Sequence, residues 1–322
     1  MTRIHSRLLT IAGVVLALTA TAAAQEFPTK PVRIIVPFAP GGINDIVGRM
    51  VATHLTERFG RQVIVENRPG AGGVVGTELV ANSPKDGHTL LVVSIAHAVT
   101  PWLYKLSYDP SKSFAPIAPV LSSQNALAIN LDLPAKSLKD FIALAKQQPG
   151  KIQYASGGVG GSLHLAMELF KITAGIDLLH VPFRGAGPAI IDVVGGHTKA
   201  VNATISTLSP HIRGGKLRAL GVSGKKRSAV MPDVPTIEEG GVPGYDAGNW
   251  IGIAAPAGTP APIVAKLHKE ITGMLDQPAI QKQIAADGSE IMRMSPSEFA
   301  AYMNNEMAKW GKVVKQAGIK AQ

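Results

Sequence analysis

The sequence predicts an α/β protein of two lobes with a ligand cleft between them, and three observations carry that expectation. Continuous apolar, β-rich runs such as Val32–Phe38 and Thr89–Ser94 alternate with helical stripes, the pattern of strands covered on both faces by helices in a parallel sheet. Glycine-rich turns follow several of these strands. One apolar run, Trp250–Ala255, stands alone late in the chain with only helical patterns after it; a lone strand needs an existing sheet, so the chain is expected to return to its first lobe. At 322 residues and 46% hydrophobic composition the chain exceeds the roughly 250–300 residues at which single cores stop growing. Disorder is excluded as its main state. The sequence holds no cysteine, which rules out disulfides, thiolate metal sites and a thiol nucleophile.

The N-terminus reads as a secretory signal peptide over residues 1–24. Arg3, His5 and Arg7 precede an uncharged run from Leu8 that ends in Ala22, Ala23 and Ala24, giving the basic, apolar and small-residue segments in the required order. A membrane anchor is the weaker reading, because alanines and threonines dilute the last third of a run already at the short edge of the spanning range. The formal net charge of +10 suits steering of small anions. Nucleic acid is disfavoured: the densest basic run, Lys225–Lys226–Arg227, is short and lacks interleaved aromatics, as expected of a solvated turn.

Taken in order, Val32–Phe38 is a strand, and Ile46, Val47, Met50, Val51, Leu55 and Phe59 form an apolar helical stripe. Gln62–Glu66, Val74–Ala81 and Thr89–Ser94 then read as strand, helix and strand. A second unit has strands at Ala126–Asn130, Ile152–Ala155, Leu178–Pro182 and Ala200–Ala203, with helices at Ser137–Gln147, Ser162–Thr173 and Pro188–Val194. Ser137 and Asp140 fit a capping box, and Met167 and Phe170 are expected in the core. After the extended Leu217–Gly224 comes Trp250–Ala255, then helical stripes through Ile263–Leu275 and Phe299–Val314. The expected division is residues 25–118 with 225–322 for lobe 1 and residues 119–224 for lobe 2.

The local chemistry centres on glycine after buried strands. PFAPGG (Pro37–Gly42), RPGAGG (Arg68–Gly73) and ASGGVGGS (Ala155–Ser162) each leave a strand and enter a helix, where free backbone N–H groups and the helix dipole favour an anion. Ser162 is the expected cap of the helix it opens. Asp45 suits the first turn of its helix and is expected to organise donors rather than touch an anionic ligand. Arg184 can fork onto a carboxylate or form a surface ion pair, with Asp192 one turn on to orient it, and Pro188 fits a first helical position. His180, inside a strand, is expected to pack or to be hydrogen bonded. No nucleotide fingerprint, phosphate loop, nucleophile elbow or zinc-spaced histidine pair occurs, so no catalytic residue, metal or cofactor is expected.

These segments, with FPTKPVRIIVPF from Phe27, VENRPGAGGVVG from Val65, DGHTLL from Asp86, HVPFRGAGPAIIDVVGG from His180, MPDVPTIEEGG from Met231 and WIGIAAPAGTP from Trp250, resemble the tripartite tricarboxylate transporter substrate receptors, the Bug or TctC family, almost end to end. The resemblance implies a type II periplasmic binding protein fold, a periplasmic location, a small carboxylate ligand, delivery to a transporter with two integral membrane subunits, and action as a monomer. It places ligand contacts at Ala39, Pro40, Gly41 and Gly42, at Gly72 and Gly73, at Ser156, Gly157, Gly160 and Ser162, and near Arg184 and Gly185; Asp45 is counted in the site as the residue expected to organise the first of these loops. The stretch Val201–Ser206 departs from the family pattern and is given no ligand role. The competing functions are an exported carboxylate-processing enzyme and a ligand-binding adaptor for a sensory receptor. N-terminal sequencing of the exported protein should begin near Gln25; an intact Met1 on membrane-held protein would overturn the signal-peptide reading.

Overall fold

The computed structural model describes residues 27–183, 185–286 and 288–320; the expected signal peptide at 1–24 and Arg184 lie outside the described residues. The early strand and helix patterns resolve into parallel units. β1 (Val32–Val36) is flanked in parallel by β2 (Val63–Asn67) and β3 (Thr89–Ser94). The crossovers that parallel pairing demands are α1 (Ile43–Phe59) and α2 (Val74–Ala81). Val47, Val51 and Leu55 of α1 are fully buried against the sheet, whereas Ile46, counted in the apolar stripe, is turned outward.

The sheet is then completed by the late strand expected to return to it and by two strands not expected from the sequence, at Phe114–Ser123 and Ser289–Ile291. α3 (Ile95–Leu103) follows β3 directly, and β4 (Phe114–Ser123) comes next. The late strand, β10 (Asn249–Pro256), inserts antiparallel between β3 and β4, and short β11 (Ser289–Ile291) closes the edge beside β4. The six-stranded order is β11-β4-β10-β3-β1-β2. Both sheets are therefore mixed, not wholly parallel, because strands arriving from the other lobe enter in the opposite sense. β4 carries Pro116 and Pro119, which have no N–H to donate; its register with β10 shifts at each of them, between Ile251/Gly252 and Ile253/Ala254, so irregularities absorb the missing ladder bonds.

The second sheet comprises β5 (Asn125–Asn130), β6 (Gln153–Ser156), β7 (Leu179–Pro182), β8 (Ala200–Thr204) and β9 (Leu217–Val222) in the order β7-β6-β8-β5-β9. Its helices are α4 (Leu138–Gln147), α5 (Ser162–Ala174), α6 (Ala186–Val194) and α7 (Ile205–Arg213). The capping box at Ser137 and Asp140 forms in both directions, and Met167 and Phe170 are fully buried. Pro188 is the third residue of α6, not its first, since the helix begins after Gly185.

The crossings between sheets fall later than residues 118/119 and 224/225. β4 stays in the first sheet to Ser123, and the segment 225–248 packs on the second lobe, where the Tyr245 hydroxyl donates to the Ala166 carbonyl at 3.0 Å. The last helices, α8 (Ala261–Met274), α9 (Pro278–Ala286) and α10 (Pro296–Ala317), follow β10. α10 packs on both α3 and α5. Its Trp310 belongs to one apolar cluster with Leu91 of the first sheet, Leu127 of the second and Phe170 of α5. Within it the buried Glu306 carboxylate accepts both indole N–H groups, from Trp250 at 3.1 Å and Trp310 at 3.0 Å, and pairs with Lys309.

Glu306→Leu should lower unfolding free energy by about 2–4 kcal/mol, since each indole donor left unpaired in the core costs about 1–3 kcal/mol. Glu306→Gln, which keeps an acceptor, should lose less. Urea titration of the two variants measures the difference, and equal midpoints would refute the bridging role.

Candidate functional site

Wherever a parallel strand of either sheet ends, the next helix begins, and its first amides have no intrahelical acceptor. α1, α3 and α5 start at N-caps Gly42, Ser94 and Gly161, each with extended backbone and none with a side-chain capping bond. The cap of α5 is thus Gly161 rather than Ser162, which is the first helical residue. These starts converge on a cavity of about 400 Å³, lined from the first sheet by Phe38, Asn44, Gly72, Ser94, Ala96 and Asn249 among others, and from the second by Val159, Gly160, Gly161 and Ser162. Ile95, Val99, Leu103 and Tyr104 of α3 and its C-cap supply an apolar wall. None of the described lining residues is Asp, Glu, Lys or Arg. The amide oxygens of Asn44 and Asn249 are buried without a protein partner, which leaves them for whatever enters.

The glycines are used for close approach. Gly160 (φ +73) lies against α3: a Cβ there would stand 2.7 Å from Leu103 Cδ1, across the cavity. Gly72 (φ +65) approaches Tyr104, where a Cβ would come within 3.2 Å of the ring. At both positions an L side chain would be strained and crowded.

Asp45 acts through the backbone of the first loop. It is 4% exposed; its Oδ2 accepts from the Gly41 N–H and from Arg49 Nε, each at 3.0 Å, and its Oδ1 accepts from Asn67 Nδ2 at 2.9 Å. The Arg49 hydrogen bond, opposed by burial and reinforced by Gly41 and Asn67, holds the carboxyl at about 2. The Gly41 N–H is therefore already taken. Asn67 also donates to the Phe38 carbonyl at 3.0 Å, which ties the end of β2 to this loop.

Beneath the glycine loop of the second sheet, Ala155–Ser162, lies a stack of titratable groups. His164 rests on His180 with centroids 3.9 Å apart and planes at 10°, and His180 on Tyr154 at 4.9 Å. The Tyr154 hydroxyl donates to Glu168 Oε1 at 2.5 Å, which also accepts from Lys171 at 3.0 Å. Burial, then His180 and Lys171, drive His164 down to about 3. Burial likewise lowers His180 and the fully enclosed His97, and it raises Tyr154. His180 Nε2 lies 2.6 Å from Ser156 Oγ, so His180 is hydrogen bonded as its strand position suggested.

The expected site residues thus divide. Gly72, Gly160 and Ser162 line the cavity, and Gly73 lines a recess of about 10 Å³ behind it. Ala39, Pro40, Gly41 and Gly42 form an exposed loop between Phe38 and Asn44, which do line it. Ser156 is fully buried, and the Gly157 carbonyl accepts from the Gly185 N–H at 3.1 Å, so these three brace the loop from below. Asp192 does not serve an arginine among the described residues; its Oδ2 accepts from the Thr198 N–H at 3.0 Å and hydroxyl at 2.6 Å. Sequence reasoning missed Asn44, Asn249 and all of α3, whose Ile95 and Val99 spacing was the available signal and whose Pro101 obscured it.

The sequence matches the family described as "Tripartite tricarboxylate transporter family receptor" over residues 47–319. The chain belongs to that family. BugT of Bordetella pertussis is 35% identical over 321 residues, covering 98% of each protein. Among solved structures, R. palustris Rpa4515 with adipate superposes with TM-score 0.80 at 32% identity, covering 92% of this chain and 100% of that one. MatC of Rhodopseudomonas palustris with bound malate does so with TM-score 0.76 at 33% identity, covering 89% and 100%. This receptor accordingly has the two-lobed α/β periplasmic-binding-protein-like fold, and it is an extracytoplasmic solute-binding protein for a small carboxylate within a tripartite tricarboxylate transport system. Among the described residues no group of three or more His, Asp or Glu could hold a metal ion.

The lowered histidines fix a pH dependence for the receptor. Their unfolded forms titrate near 6.5 and their folded forms lower, to about 3 for His164, so unfolding takes up protons between those limits. Stability should be greatest above about pH 6.5 and fall as pH drops toward the folded values. Asp45, with folded and unfolded values of about 2 and 3.8, adds its loss only below about pH 4. Urea unfolding at pH 7 and pH 5 should show the decline, and a flat profile would contradict the buried neutral histidines.

Proposed function

We propose that the receptor captures a small carboxylate with an apolar middle and releases it to the integral membrane subunits of the transporter. The single observation that carries the reading is the lining: uncapped helix starts from both sheets around an apolar wall, with no ionised side chain among the described lining residues. Backbone N–H groups at helix starts favour an anion. The apolar wall of α3 favours methylene or ring carbon, and a cavity of about 400 Å³ lies in the size range of small-molecule sites. The relatives crystallised with adipate and malate agree with this class. Ligand contacts are assigned to the first amides of α1, α3 and α5 and to Gly72, Gly160 and Ser162, with Ala39–Gly42 as rim; the Asn44 and Asn249 amide oxygens, which accept, are assigned to a ligand hydroxyl or to water rather than to the carboxylate.

The reading is of binding without turnover. The serine and histidine closest to a catalytic pair, Ser156 and His180, sit under the loop, where Ser156 is fully buried and also bonded to the Gly158 N–H and carbonyl at 3.2 Å. A nucleophile must reach its substrate. Export through the signal peptide at 1–24 and delivery to two membrane subunits complete the proposal.

Isothermal titration of the mature protein with adipate, succinate, citrate and benzoate, alongside the neutral diamide adipamide, tests it. At least one acid should bind ten or more times tighter than adipamide, a margin of about 1.4 kcal/mol or greater, and be recovered unchanged. Val99→Asp, which sets a carboxylate in the wall, should abolish that binding. Equal binding of adipamide and every acid, or conversion of the acid, would overturn the proposal.

A further inference from the structure

We infer that His164 is the positioning residue of the second-lobe anion cradle, its neutral imidazole taking the Gly160 N–H so that the following amides face the ligand; this rests on the carboxylate-binding reading of the same cavity. The Gly160 N–H points back under its own loop and donates to His164 Nδ1 at 3.0 Å. Gly161 in turn donates to the Gly158 carbonyl at 3.4 Å. The donors left at this helix start are those of Ser162, Leu163 and His164, the first-turn amides for which α5 offers no acceptor, the first intrahelical bond being Leu165 N–H to the Gly161 carbonyl at 3.0 Å. His164 therefore selects which amides face the cavity, and it does so from one turn inside the helix those amides open.

The same bond sets the distance between the lobes' walls. It holds Gly160 at φ +73 with its α-carbon against Leu103 of α3, so the loop cannot rise from the second sheet while the bond persists. An imidazole can serve here only with Nδ1 unprotonated, which puts its hydrogen on Nε2, and Nε2 lies 3.8 Å from Glu168 Oε1. The groups around the ring hold that state. From α5 come Glu168 and Lys171, themselves paired; from β6 come Tyr154 and Ser156; from β7 comes His180, stacked face to face. His164 is 5% exposed, and a proton on Nδ1 would set two N–H groups against each other.

Two amide substitutions separate the acceptor's position from mere bulk. His164→Asn keeps an oxygen near the place of Nδ1, whereas His164→Gln carries it near the place of Nε2. Hydrogen exchange of the assigned Gly160 amide, read by NMR on the ligand-free mature chain, should be slow in the wild type and in His164→Asn and fast in His164→Gln. Adipate affinity should fall by about tenfold or more in His164→Gln and recover most of that loss in His164→Asn. An unprotected Gly160 amide in the wild type, or identical exchange in both variants, would overturn the assignment. If the wild type binds neither adipate nor any other acid of the panel, the carboxylate reading fails, while the Gly160 exchange pattern still decides whether His164 holds the loop.

Discussion

A right-handed helix that follows a parallel strand begins at that strand's carboxyl end, and the cavity is built on this constraint. β1, β3 and β6 end toward the space between the sheets, so α1, α3 and α5 all begin there. Each start presents N–H groups in excess of carbonyls and the positive end of a peptide dipole. Had any of these helices run the other way, its last carbonyls would line the space instead and repel an anion. The glycines of the loops are secondary to this geometry: they let the backbone come close to what the helices attract.

Holding charge with dipoles alone has an electrostatic logic. A buried lysine or arginine facing the ligand would need its own desolvation repaid whenever the site emptied. Amides at a helix start carry no net charge, and among the described lining residues there is no Asp, Glu, Lys or Arg to be left unpaired when the cavity is empty. Among the described residues, charged groups of the first lobe that do not line the cavity neutralise one another, as in Asp45 with Arg49 and Glu66 with Arg33. The formal charge, +10 for the full sequence and +8 without Arg3 and Arg7 of the expected signal peptide, acts at longer range on anions, where salt in the medium screens it.

Much of the first sheet is legible in the sequence because β1 and β3 are buried on both faces: the strand Thr89–Ser94 and the helix Val74–Ala81 before it occur at their expected limits. The return of the late strand is legible for a topological reason, since Trp250–Ala255 had nowhere else to pair. What could not be read is where proline misleads. Pro116 and Pro119 argue against a strand until the register shifts opposite them are seen, and Pro101 hides α3. In the site, the glycine loops could be found from composition, but which residues of each loop face the cavity depends on turn conformation. Asn44 and Asn249 carry no local signal; only the completed fold brings them to one cavity. Arg184, chosen for its forked guanidinium, lies outside the described residues, and Asp192 found Thr198 by closing the end of its own helix.

The division of labour within the cavity also bears on how such receptors diverge. On the proposed reading, recognition of negative charge resides in main-chain amides, which no point substitution can delete except by proline. The apolar part of the lining is Ile95, Val99, Leu103 and Val159, and on the same proposal these four side chains set ligand length and shape and can be exchanged for other apolar residues. Copies of this gene could therefore drift in substrate choice through conservative core-like replacements, each intermediate still binding an acid, so that a large repertoire of related receptors is reachable without passing through a non-binding ancestor.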